Sequence, residues 1–382
     1  MKSNRNGTPI RLASLLTALV FILNLFGCGG GKSRTGLGNG WEPESTMELA
    51  YATQFAVDAY EGGYRLITIA NGGRFLLVPE GMEVPRGVAK DIAVLRQPLK
   101  NIYLVATSAM CLFDALDGLS SIRLSGTKAE DWYIDNAKKA MVDGEILYAG
   151  KYSEPDYERI LSSGCELAVE STMIDHAPEV QEKLENLGIP VLVEQSSHEP
   201  HPLGRTEWIK LYGVLLGKEA LAQKLFDEQA GYEKQAAEFE STGKTVAFFY
   251  ISTAGYAVAR KSGDYVAKMI GLAGGDYIFH ELGDSQSATS TVPLEMEQFY
   301  ATAKDADYII YNSTIGGELK RLEELLGKNA LLADFKAVRN GNVWCTGKNL
   351  FQQTTQLGAM ILEIHRILTE DDPELLYFYR LR

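Results

Sequence analysis

The chain has 382 residues, 46% of them apolar and 10% aromatic, enough to bury a substantial core. Its 50 acidic residues outweigh 37 basic ones for a net charge of −13. With no basic run beyond the first residues, it lacks the clustered positive face that nucleic-acid binding requires.

The N-terminus carries Lys2, Arg5 and Arg11 and no acid before Glu42. An apolar stretch over residues 12–26 follows, the layout of a secretory signal peptide. It is shorter than the about 20 apolar residues of a membrane-spanning helix. It ends in Leu25-Phe26-Gly27-Cys28, which looks like a lipobox: small Gly27 precedes a Cys that is acylated and becomes the new N-terminus. The alternative is an uncleaved anchor with an incidental Cys. Residues 1–27 are thus read as signal, and 28–44 as a lipidated Cys28 with a flexible Gly-rich leash, Gly29-Gly30-Gly31 onward. Two or three acyl chains hold a protein at a membrane where one is marginal. The remaining roughly 340 residues exceed what one core usually serves, so two lobes are expected. Cys111, Cys165 and Cys345 are far apart and fit free thiols better than a disulfide framework or zinc site, though one pair stays open.

In chain order, a hairpin is predicted from residues 64–70 and 74–78 around Asn71-Gly72-Gly73. Strands follow at 102–106, 121–124, 146–149, 167–169 and 190–193, alternating with helices. Thr107-Ser108 is placed as one helix cap and Pro155 as the opening of another. Unbroken apolar strands alternating with helices indicate a mostly parallel, buried sheet. Over residues 206–241, Trp208, Leu211, Tyr212, Leu215, Leu225 and Phe226 recur at helical spacing. That predicts one rod roughly 50 Å long; the alternative is two helices broken near Gly217. Alternation resumes with strands at 245–251, 256–259, 308–311 and 342–345 and a closing helix over 356–368. The expected architecture is α/β: an N-terminal lobe at 45–205, a connecting helix at 206–241 and a C-terminal lobe at 242–382, with a ligand cleft between the lobes.

That order, behind a lipobox, resembles the bacterial solute-binding lipoproteins of importers for iron chelates and cobalamin. The resemblance covers roughly residues 100 to 370. It rests on Pro155-Asp-Tyr-Glu-Arg-Ile-Leu-Ser-Ser-Gly-Cys-Glu-Leu-Ala-Val-Glu-Ser, on Leu187-Gly-Ile-Pro-Val-Leu-Val and on the helix that follows. Before residue 100 the chain departs from the family, with a longer segment in place of a short hairpin. The resemblance implies a monomeric binding protein that holds a small molecule and delivers it to a permease driven by a separate ATPase. It implies a location on the extracytoplasmic face of the membrane. It also implies that Glu158 and Glu297, one per lobe, pair with permease arginines; the plainer account is that each complements a helix dipole.

Ligands in open α/β sheets sit beyond the carboxyl ends of strands. That rule selects Thr107, Ser108, Lys151, Tyr152, Ser171, Thr172, His201, Arg205, Tyr256, Arg260, Trp344 and Phe351 as candidate ligand contacts. The cations suit an anionic chelate and the aromatics an apolar or conjugated one. Each has a plainer alternative: a solvated cation or a core aromatic. His198 and His201 form a His-x-x-His that could join carboxylates around bare Zn or Mn, but the flanking Pro200 and Pro202 argue for an extended loop without the spacing to converge. Iron–siderophore chelates are the first expectation for the ligand, a cobalamin- or haem-type tetrapyrrole the second, Zn or Mn the third. No resident cofactor is expected, and since no phosphate-cradling loop occurs, the energy for transport must come from a partner. A tethered hydrolase using Ser171, Asp175 and His176 is the remote alternative; no Gly-x-Ser-x-Gly elbow or His-Glu-x-x-His supports it.

Overall fold

The structure is a computed structural model, describing residues 37–38, 40–283 and 291–382. The signal peptide, Cys28 and most of the leash lie outside the described residues. So does most of the 285–291 loop, one of the second-lobe loops that the strand-end rule selects.

The first lobe opens with five strands: β1 (Ser45–Thr46), β2 (Phe55–Ala59), β3 (Arg65–Ile69), β4 (Arg74–Val78) and β5 (Ile92–Arg96). They pair in that order, antiparallel except for parallel β4–β5. The predicted hairpin is β3–β4, and Asn71 turns it at a φ of +53°, which Asn tolerates better than most residues. The sequence pattern reveals only this hairpin of the five-stranded sheet.

The lobe continues with β6 (Ile102–Leu104), α1 (Thr107–Ala115), β7 (Ile122–Ser125), α2 (Asp135–Val142), β8 (Leu147–Tyr148), β9 (Gly150–Lys151), β10 (Glu154–Pro155), α3 (Tyr157–Ser162), β11 (Leu167–Ser171), α4 (Pro178–Asn186) and β12 (Val191–Glu194). Its sheet runs β12-β11-β6-β7-β8, parallel throughout, while β9 and β10 form a separate small hairpin. Two local expectations are corrected. Thr107 and Ser108 do not cap α1: the helix begins at Thr107, Ala106 precedes it without a side-chain cap, and Ser108 points elsewhere. Pro155 does not open α3. It ends the β9–β10 hairpin, and Asp156 caps the helix by accepting the Arg159 amide at 3.0 Å.

The predicted rod is two helices, α5 (Pro202–Leu216) and α6 (Glu219–Ala236), packed against each other. Gly217 ends α5 in the left-handed region at φ +66°, a conformation that costs a side-chain-bearing residue more than glycine. Apolar periodicity continues across the break because both helices bury their stripes in the same core, with Trp208, Tyr212, Phe226 and Ala230.

The second lobe holds β13 (Thr245–Ile251), β14 (Ala257–Arg260), α7 (Tyr265–Leu272), β15 (Asp276–Tyr277), β16 (Thr291–Leu294), α8 (Met296–Ala303), β17 (Tyr308–Tyr311), α9 (Ser313–Gly316), α10 (Leu322–Lys328), α11 (Lys336–Arg339), β18 (Val343–Thr346), α12 (Leu357–Thr369) and β19 (Phe378–Arg380). Its sheet runs β16-β14-β13-β17-β18-β19, with β15 also on β13; the centre is parallel and both margins antiparallel. The two-lobed α/β architecture with mostly parallel central sheets is therefore as the sequence implies.

Glu170 on β11 departs from the rule that buried polar groups find partners. It is fully buried and neither carboxyl oxygen has a hydrogen-bond partner among the described residues. Burial pushes its pKa up to about 8. The unfolded chain releases this proton near 4.3 and the native state only near 8, so the native state holds the extra proton in between. Stability should therefore fall as pH rises from about 4.5 to about 8, by on the order of 5 kcal/mol in full. We predict that Glu170→Gln flattens this slope in urea unfolding and makes the protein more stable at pH 9. A slope unchanged by the substitution would contradict the assignment.

Candidate functional site

The start of α5 is gripped on one side by two buried carboxylates. Glu199 accepts from the Thr53 amide (2.7 Å), the Gln54 amide (3.0 Å), the Thr53 hydroxyl (3.1 Å) and the Trp208 indole (2.8 Å). Glu207 accepts from the amides of Ala50, Tyr51 and Ala52 at 2.8–2.9 Å and from Lys210 at 2.8 Å. Both are 0% exposed, and charge-assisted bonds of this kind are the stronger class. They replace water for the carboxylates and bind residues 50–54 to the helix.

His201 caps α5: its Nδ1 accepts from the Leu203 amide at 3.2 Å, and its ring stacks on Tyr51 at 4.5 Å. Burial lowers its pKa, consistent with a neutral, accepting imidazole. His198 Nδ1 lies 2.6 Å from the Gln195 side-chain oxygen. The ring nitrogens nearest to hand are thus occupied in this pair, and no group of three His, Cys, Asp or Glu suited to a metal ion occurs among the described residues.

Arg205 lies two positions before Glu207, about 200° around the helix and so on the opposite side. Its guanidinium sits over the Tyr265 ring, 4.3 Å from the centroid, and makes no hydrogen bond or ion pair with any described residue. Around it lies a seam of charge. Glu194, at the carboxyl end of β12, is buried and accepts from Ser108 Oγ (2.9 Å) and the Ser196 amide (3.1 Å). Burial pushes its pKa up, against the opposing pull of Ser196, Arg205 and Ser108. From the second lobe, Asp264 caps α7 by accepting the Val266 amide at 2.9 Å and meets Arg260 at 3.3 Å. Burial raises the Asp264 pKa too, with Arg260 and Arg205 among the groups opposing. Arg260 in turn lies 5.0 Å from the Phe351 ring centroid. The Tyr277 hydroxyl donates to the Arg260 carbonyl (2.7 Å) and accepts from its amide (3.0 Å), fixing that backbone.

Of the sequence candidates, this seam unites Ser108, Arg205, Arg260 and Phe351, with Thr107 beside Ser108 at the start of α1. Others fall elsewhere. Lys151 is exposed and paired with Glu154 at 3.3 Å, while Tyr152 packs against the core beneath that hairpin. Ser171 Oγ caps a short turn by accepting from the Met173 amide, and Thr172 Oγ1 lies 3.4 Å from Ser197 Oγ. Ser171 is thereby committed to its own turn, and Asp175 and His176 are exposed. Trp344 is corrected outright: it lies on interior strand β18, 2% exposed, in the core and not in the cleft. Tyr256 is exposed beyond β13, as are Met173 and Ile315 at the carboxyl ends of β11 and β17. Glu158 and Glu297 are exposed in the first turns of α3 and α8, without ion pairs among the described residues. Cys111, Cys165 and Cys345 are all free thiols.

Sequence reasoning missed Glu194, Asp264, Tyr265 and Gln352. A usable signal existed for Glu194: an acid closing the apolar run Val191-Leu-Val must be paired or neutralised when buried. Gln352 offered none. It is 9% exposed, and its side-chain amide accepts from the Tyr133 amide (2.8 Å) and donates to the Asp131 carbonyl (2.9 Å), bridging the lobes. Beside it Thr206 donates to the Thr354 carbonyl at 2.8 Å, and α1 packs against the same turns. The Gln352 side chain contributes two of the three hydrogen bonds at this edge, each worth about 1 kcal/mol. Gln352→Leu should lower hydrogen-exchange protection of the Tyr133 amide by about tenfold while the β13 core amides keep theirs; equal protection in both proteins would contradict the clamp.

Residues 115–350 match the family model described as periplasmic binding protein. The chain belongs to that family, whose members bind solutes and are not enzymes. An uncharacterized lipoprotein of Methanocaldococcus jannaschii is 28% identical over 312 residues, covering 78% of this chain and 73% of the relative. The periplasmic heme binding protein HutB of Vibrio cholerae is structurally similar, with a TM-score of 0.56 at 18% identity, over 69% of this chain and 98% of that one. So is a protein of an ABC-type Fe3+-hydroxamate transport system from Saccharomonospora viridis, with a TM-score of 0.55 at 17% identity, over 72% and 94%. These two likenesses establish the fold.

Proposed function

We propose that this chain is the extracytoplasmic solute-binding component of an ABC importer and that it captures an anionic metal chelate, of the iron–siderophore type, between its lobes. One observation carries the reading: Arg205 is held over Tyr265 at the lobe junction with no hydrogen-bonding partner among the described residues. A guanidinium offers five N–H donors, and leaving them unused beside buried groups is costly unless a ligand or water takes them. Arg260 and Phe351 beside it supply a second cation and a ring face. The ligand named for the Saccharomonospora viridis system, an Fe3+-hydroxamate, is likewise a ferric chelate.

A tetrapyrrole is the second reading. Exposed Met173, Tyr256 and Ile315 would cover a flat apolar face, and heme is the ligand named for the Vibrio cholerae protein. Cobalamin would use the same surfaces. Zn or Mn draws no support from His198 and His201, whose Nδ1 atoms are engaged.

The tether at Cys28 draws support from the lipoprotein naming of the Methanocaldococcus jannaschii relative. Exposed Glu158 and Glu297, one on each lobe, would orient docking on a basic permease surface, speeding encounter more than tightening it. Cys28→Ala should move the protein from the membrane to the soluble fraction with ligand binding intact; retention in the membrane would contradict lipidation.

Intrinsic tryptophan fluorescence titration against ferric siderophores, haem, cobalamin and divalent metals tests the ligand class, with Trp208 three residues from Arg205 as a reporter. The expected result is saturable quenching by an anionic ferric chelate at micromolar or lower concentration. Arg205→Gln should weaken that binding about 10- to 100-fold, the scale of one charge-assisted contact of about 1.5–3 kcal/mol. Quenching by none of the panel would overturn the reading.

A further inference from the structure

Charge at the seam is balanced in sum but not in pairing. Glu194 and Asp264 stand among Arg205 and Arg260. Asp264 meets Arg260 at 3.3 Å, and both side chains are largely buried. Glu194 is 3% exposed and has no ion-pair partner among the described residues. Its oxygens are met by neutral donors, the Ser108 hydroxyl at 2.9 Å and the Ser196 amide at 3.1 Å. Arg205, the guanidinium left to balance it, rests on the Tyr265 ring.

The neutral groups around Glu194 suit a carboxylic acid as well as a carboxylate. The Ser108 hydroxyl can accept as readily as it donates, and the Ser196 hydroxyl is buried with no hydrogen-bond partner among the described residues. Tyr212 follows Arg205 by about two turns of α5 and so lies on the same face. Its hydroxyl is also buried and unpartnered among the described residues. Cys111, one turn after Ser108 on α1, is buried too. Burial raises the pKa of both Tyr212 and Cys111, so each keeps its proton near neutral pH and Glu194 is the group left to titrate.

From this geometry we infer that Glu194 couples ligand capture to a proton: an anion bound on Arg205 is accompanied by protonation of the Glu194 carboxylate. The proton comes from solvent, forms an O–H bond on a Glu194 oxygen and is donated to a serine hydroxyl. The cause is electrostatic. In the empty cleft Arg205 favours the ionised form of Glu194. A ligand anion engages that guanidinium and adds a like charge beside a buried carboxylate, which favours the neutral acid. Asp264 has Arg260 as its partner and keeps its charge. By linkage, affinity falls as pH rises between the pKa of Glu194 in the free protein and its higher pKa in the complex. A neutral ligand gains nothing from this proton, so Glu194 also selects for charge. The inference rests on the chelate reading and adds to it the control of the same site by pH.

Calorimetry on the full chain tests it with a hexadentate ferric catecholate, an anion whose own charge does not change over the range used. Titrations in phosphate and in Tris, buffers of unlike ionisation heat, report protons taken up on binding. The expected result is net uptake by wild type, with affinity about tenfold weaker at about pH 9 than at about pH 6. Glu194→Gln should remove both the uptake and the pH dependence, with circular dichroism unchanged. Binding by wild type without proton uptake would overturn the inference and leave the chelate reading standing. Uptake that persists in Glu194→Gln would do the same. No binding at either pH would overturn the chelate reading and the inference with it.

Discussion

The lobe junction depends on the two buried carboxylates at the start of α5. Burying a carboxylate is expensive unless its lone pairs are met, and Glu199 and Glu207 meet theirs chiefly with backbone amides of residues 50–54. Those amides would otherwise need partners of their own, since residues 50–54 are not strand-paired. The arrangement joins the N-terminal sheet to the connecting helices and sets the rotation of α5 about its axis. With Glu207 fixed toward the sheet, Arg205 is turned toward the second lobe.

Around Arg205 the charges are arranged to stay partly uncommitted. Burial raises the pKa of both Glu194 and Asp264, while the nearby guanidiniums oppose that rise. Asp264 has Arg260 as its ion-pair partner at 3.3 Å, and Glu194 is met by a hydroxyl and an amide. Arg205 is left on an aromatic face, an arrangement worth about 0.5–2 kcal/mol that a ligand anion can add to without first breaking an ion pair. Gln352 and Thr206 fasten the neighbouring edge, so the floor of the proposed site is held in place before any ligand arrives. A preformed site loses less free energy to ordering when it binds.

Much of this fold is legible in the sequence because buried parallel strands are near-continuous apolar runs. Tyr308–Tyr311 and Thr245–Ile251 fall where those runs place them. What was illegible has physical causes. Periodicity reports which face is buried, and α5 and α6 bury theirs in one core, so the bend at Gly217 leaves the stripe intact. Trp344 has the composition of a cleft aromatic but sits in the interior of the sheet, a difference made by tertiary packing alone. In the proposed site, the strand-end rule selected Ser108, Arg205, Arg260 and Phe351, which the fold brings together. It missed Glu194 and Asp264 because their importance comes from burial beside charges distant in sequence. Gln352 is invisible for a similar reason: its two partners lie about 220 residues away.

A crystal structure of the protein with a bound anionic ferric chelate tests the central claim most directly. The account predicts ligand density between the lobes, with an anionic ligand oxygen within hydrogen-bonding distance of the Arg205 guanidinium and a ligand face near Phe351. Density elsewhere, with Arg205 still resting on Tyr265 and touching no ligand atom, would contradict it.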